Sequence, residues 1–177
     1  MKKKILVAVF FTAVAAGARF IPLKIPNIEF ISTAMVVITI LLGSSVAIPS
    51  VLGIVLLTDF IKSGTPQSWE LIVIAGWITA GLTQRVFAGK SLAKIFSMEI
   101  LGTIAFFLVT NSLVFVLFNF YPKALVGYFD CLAAGLPFLR NQLLGNTFFS
   151  LIAFATVKIL SGSPLNAQDN SKEQLQK

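Results

Sequence analysis

The sequence predicts an all-α, polytopic membrane protein: a six-helix transmembrane bundle with the N- and C-termini both cytoplasmic. Three observations lead there. First, 56% of the 177 residues are hydrophobic and only 12% are charged, against ~45–50% and ~25% in an average soluble domain, and mean hydropathy is +0.90. Second, the apolar residues run in six segments without the strict alternation of barrel strands, and in hydrocarbon only helices and closed barrels satisfy their own backbone. Third, Lys and Arg are scattered between the segments, where they act as orientation signals. That scatter argues against a nucleic-acid interface despite a net charge of +7. The absence of His and the single Cys131 remove the commonest general base, the commonest metal ligand and any internal disulfide, so neither an enzyme nor a cofactor is expected.

The segments are 5–18, 30–42, 46–57, 71–82, 96–120 and 141–160. The first follows Lys2-Lys3-Lys4 and also fits a secretory signal peptide, with a basic start, an apolar middle and small residues from Ala13 to Ala18. The second and third share a charge-free run broken by Gly43-Ser44-Ser45 and Pro49, so one long helix is the alternative. Basic residues decide between them. Six helices put nine inside (Lys2, Lys3, Lys4, Arg85, Lys90, Lys94, Lys158, Lys172, Lys177) and five outside (Arg19, Lys24, Lys62, Lys123, Arg140), whereas fusion gives six inside and eight outside. Several segments fall short of the ~20 residues that cross a bilayer core. The third extends through Asp59 to Lys62 and the fourth back to Trp69. Residues 1–160 form the transmembrane domain, and 161–177 turn abruptly polar and read as a disordered cytoplasmic tail.

In this topology the polar and aromatic residues collect outside, on Arg19 to Glu29, Thr58 to Glu70 and Tyr121 to Asn141. Asn111 lies deep in helix five and needs a partner away from lipid. Glu99 lies near that helix's inner end, beside Lys90 and Lys94. The candidate ligand-binding residues are Asn27, Glu29, Asp59, Trp69, Asn111, Tyr121, Phe138, Arg140 and Asn141. Of these, Asn27, Asp59, Asn111, Arg140 and Asn141 are expected to converge on one outer cavity, with Asp59 or Glu29 neutralising Arg140. The bland reading is solvated loop acids, an interfacial arginine and an aromatic belt. Cys131 is expected in the outer loop before helix six, as a small packing residue.

Several of these residues carry a resemblance. Pro26-Asn27-Ile28-Glu29, Thr58-Asp59 and Thr65-Pro66 resemble the substrate-binding S components of energy-coupling factor (ECF) transporters. Thr110-Asn111, Tyr121-Pro122-Lys123, Gly127, Leu136 to Asn141 and Leu144-Gly145-Asn146 are similar to an uncharacterised group in that superfamily. The resemblance spans Arg19 to Leu160. It implies a multi-pass protein of the inner (plasma) membrane that binds a vitamin-like small molecule beneath its outer loops. It also implies partners, a transmembrane coupling subunit and ATPase subunits. Small residues on the first helix would dock the coupling subunit, and here Ala8, Thr12 and Ala16 recur at spacing four, with Ala13 and Gly17 one position round. The family's alanine pattern is not cleanly reproduced. Ala88-Gly89-Lys90-Ser91 lacks the first glycine of a phosphate-binding loop, so any ATPase is another chain.

Two other functions stay open on the residues alone. A membrane enzyme would use Glu29, Asp59, Glu70 or Asp130 as acid and base, but no DxxxD-type metal pair occurs. A ligand-free scaffold would need none of them.

Overall fold

The computed structural model describes residues 2–21, 30–65 and 67–161, and among them every regular element is a helix. The six are α1 (Lys2–Ala18), α2 (Ile31–Leu42), α3 (Ser44–Ser63), α4 (Glu70–Val86), α5 (Leu92–Leu117) and α6 (Leu125–Ser161). Three of them, Ser44–Ser63, Leu92–Leu117 and Leu125–Leu160, are long and apolar enough to cross a membrane. All but Ser161 of the polar tail lies outside the described residues, as do Asn27 and Glu29.

α2 is the hub of the bundle. It packs against all five other helices, and every residue from Ile31 to Thr39 is buried. A helix apolar on all sides has no lipid face to choose, which suits a central position. The break after it is Gly43, whose φ of 95° and ψ of 158° are accessible only to glycine without strain. The chain doubles back there. Met35 on α2 and Ile48 on α3 both press against Gly81 of α4. Two helices therefore replace the single long one that the charge-free run left open. Gly64, left-handed at φ 71°, closes α3.

α4 and α5 form an antiparallel pair set close by glycines. A Cβ on Gly76 would come within 2.8 Å of Phe106, and one on Gly102 within 3.0 Å of Gln84. Such close backbone approach gains van der Waals contact along the pair. α5 and α6 are also antiparallel, with Tyr128 against Ser112 and Phe115, Cys131 against Asn111, and Gly135 against Phe107.

α6 departs most from expectation. Residues 121–140 are expected as an outer loop, yet the helix begins at Leu125 and runs 37 residues with Pro137 inside it. The physical reason is periodicity: the buried residues of this stretch, Gly127, Cys131 and Gly135, recur at spacing four, which only a helix lays along one face against α5. The register then slips. From Gly135 to Asn146 α6 advances eleven residues, while its contacts on α5 step by four to eight, from Asn111 and Phe107 to Thr103. Pro137 lies in that stretch, where a proline bends a helix.

Candidate functional site: a cavity at one end of the bundle

α1, α3 and α5 end, and α4 begins, at the same end of the bundle. Between them lies a cavity of about 360 Å³ lined by Arg19, Asp59, Trp69, Ile72, Val73, Trp77, Phe106, Thr110, Val114 and Gln142. Its volume sits at the lower end of the ~300–1,000 Å³ usual for small-molecule sites.

One wall is charged. Arg19, just past the end of α1, donates from Nη2 to Asp59 Oδ1 on α3, and the two side chains are only 10% and 20% exposed. Packing of α1 along α3 brings together residues forty positions apart. Another part of the lining is aromatic. Trp77 is buried and lies 4.8 Å, centroid to centroid, from Phe106 at an angle of 50°, a tilted aromatic pair. Trp69, half exposed, stands at the mouth. Thr110 donates to the carbonyl of Phe106 at 2.9 Å, so its oxygen keeps a lone pair free to accept. The primary amide of Gln142 can donate and accept. Together these groups offer a small polar molecule aromatic surface, an ion pair and hydrogen-bonding side chains.

Of the residues expected to bind ligand, Asp59 and Trp69 line this cavity. Asn27 and Glu29 lie outside the described residues. Asn111 is turned toward α6: its Nδ2 donates to the Phe107 carbonyl at 2.8 Å, and its Oδ1 sits against Gly135. The neighbouring Thr110 faces the cavity in its place, because one residue turns a helix by roughly 100°. Tyr121 is partly buried in the short connection before α6. Phe138 is 46% exposed, and Arg140 lines a separate open groove with Ala133, Leu136, Pro137, Leu139 and Leu143. Asn141 precedes the cavity residue Gln142 and is half-buried. The expected convergence of Asn111 and Arg140 with Asp59 is thus corrected. Arg19, not Arg140, is the cation that Asp59 neutralises, because α6 is helical through Arg140 and presents it on an exposed surface.

Two further expectations change. Cys131 belongs to α6, not to a loop, and is 2% exposed with its thiol 3.5 Å from the Asn111 carbonyl. On α1, Ala8 is buried against the core, Thr12 bonds to the Ala8 carbonyl at 2.8 Å, and Ala16 packs inward. Only Ala13 and Gly17 of the small residues are exposed, so the row at spacing four packs mainly within the protein's own bundle. Phe106 and Gln142 gave no signal in the sequence beyond being aromatic or polar within apolar runs, and Thr110 stood out only as the neighbour of Asn111 in the resemblance.

Residues 1–168 match a family described as a family of unknown function, DUF6580. The chain belongs to that family. No curated protein and no solved structure matches it. The match takes in all six helices of this DUF6580 protein, with every residue of the cavity.

Proposed function

We propose that this DUF6580 protein is the substrate-binding, S component-like subunit of an ECF-type importer, and that it captures a vitamin-like small molecule in the cavity lined by Arg19, Asp59, Trp77 and Phe106. In this reading all six helices cross the inner (plasma) membrane and both termini are cytoplasmic. The cavity then opens outward. A transmembrane coupling subunit and ATPase subunits supply the energy, and this chain catalyses no reaction.

The observation that carries the reading is the cavity's position and chemistry. It lies at the end of the bundle that holds Lys62 and Trp69, the end the basic-residue count assigns to the outside. Its walls combine aromatic faces with an ion pair, the mixture that binds heterocycles bearing polar edges. A partner is supported by α1, which exposes Leu6, Val9, Phe10, Ala13 and Gly17 along one side, a strip with small residues where a second helix could approach closely.

Native mass spectrometry of the protein, released from micelles without prior dialysis, tests the reading. A discrete small-molecule adduct is expected, and Trp77→Ala should lose it while Arg140→Ala keeps it. A bare protein mass, together with no binding of added vitamins, would overturn it.

A further inference from the structure

The charged groups of the cavity are matched to each other, and that limits what it can admit. Among the described residues that line it, Arg19 is the one cation and Asp59 the one anion. They do not stand apart. Arg19 Nη2 donates to Asp59 Oδ1, and the two side chains are only 10% and 20% exposed. Glu99, the acid expected beside Lys90 and Lys94, adds nothing to this count. Its side chain is turned inward, fully buried, where it accepts from Ser32, and it does not line the cavity.

A charged ligand would have to break the pair. A carboxylate that takes Arg19 displaces Asp59, which stays in the same lining as an unpaired and repelling charge, and leaving such a charge largely out of water is costly. An ammonium group that takes Asp59 strands Arg19 in the same way. A zwitterion that exchanged partners with both would have to prise α1 from α3, which pack together. An uncharged ligand leaves the pair closed, and its polar edge still finds partners. The Gln142 amide makes no hydrogen bond with another described residue and can both donate and accept. Thr110 donates to the Phe106 carbonyl at 2.9 Å and so keeps a lone pair for a ligand donor.

We propose that the cavity selects an uncharged polar ligand over carboxylates and ammonium compounds, and that Asp59 sets this selectivity by silencing Arg19. The proposal rests on the cavity being a ligand site, the part of the proposed function that it deepens, and needs no coupling subunit or ATPase. Removing the charge of Asp59 uncovers a cation and turns the cavity into an anion site. Removing that of Arg19 does the reverse.

Benzamide, benzoate and benzylamine share one ring, are small enough for a cavity of about 360 Å³, and at neutral pH are uncharged, anionic and cationic. Each is titrated into the purified full-length protein in lipid nanodiscs, with Tm and calorimetric binding as readouts, since a ligand of the native state stabilises it. Wild-type protein should bind benzamide and bind both charged probes at least ~10-fold more weakly. Asp59→Asn should rank benzoate first, and Arg19→Met should rank benzylamine first. A wild type that holds benzoate or benzylamine as well as benzamide would overturn the proposal, and so would an Asp59→Asn variant that still prefers benzamide. Binding of none of the three to any of these proteins would overturn it as well, by removing the ligand site. Should the variants fail to fold, the wild-type ranking decides alone. The importer reading fails separately: a protein that ranks the probes as expected but carries no adduct and binds no vitamin keeps the charge selectivity and loses the importer.

Discussion

A methyl group added at Gly135 would lie 2.7 Å from both Asn111 Oδ1 and Phe107 Cε2. Neither atom can retreat cheaply, since the Asn111 amide is held by the Phe107 carbonyl and Phe107 is buried. Gly135→Ala should therefore destabilise the protein by about 1–3 kcal/mol, the usual cost of overpacking, seen as a lowered Tm in thermal unfolding. The pair Arg19 and Asp59 offers a second measurement at this scale. Both side chains are mostly out of water, so a double-mutant cycle of Arg19→Met and Asp59→Asn should give a coupling of roughly 0.5–3 kcal/mol. A coupling near zero would mean that the charged wall of the cavity is not held by this pair. Asp59 was legible as a candidate because an acid at the end of an apolar helix stands out. Arg19 was legible only as an outer base, since nothing in the sequence says which of five outer cations comes back to meet it.

Helices show where local signals suffice and where they do not. α3 runs to Ser63, taking in the Asp59 to Lys62 extension, and Gly43 divides α2 from α3 because its backbone angles exclude other residues. Gly43→Val should cost about 1–3 kcal/mol of strain, measurable as a fall in Tm with helix content kept in circular dichroism. α6 shows the converse. Pro137 falls in the stretch expected as an outer loop, but a proline is tolerated inside a helix where neighbouring groups re-satisfy the freed backbone. Pro137 lies where α6 slips against α5, a few residues before Gln142 reaches the cavity. Pro137→Ala restores a donor and should straighten this stretch. The expected outcome is an equal or higher Tm with weaker ligand retention in native mass spectrometry, because Gln142 moves off the cavity wall.

For the whole molecule, the proposed topology puts Arg85, Lys90 and Lys94 in the cytoplasm and Lys62 and Lys123 outside. Single cysteines at these positions on a Cys131→Ser background should react with an impermeant reagent only at positions 62 and 123 in intact cells. Buried Cys131 makes the background small in any case. Strong labelling of position 90 from outside would reverse the cavity's orientation and remove the main support for capture of an external ligand. Composition and segment length suffice for the helical class, since a chain this apolar must close its backbone hydrogen bonds within each segment. They also suffice for the approximate extent of five of the six helices. What only the tertiary structure decided is which face of each helix looks inward. In many helices the contrast between polar and apolar faces fixes that rotation, but α5 is apolar almost all round and offers no such contrast. The choice of Thr110 over Asn111 for the cavity, the inward turn of Glu99, and the meeting of Arg19 with Asp59 all follow from close packing at glycines and from hydrogen bonds between distant helices, neither of which has a local trace in the sequence.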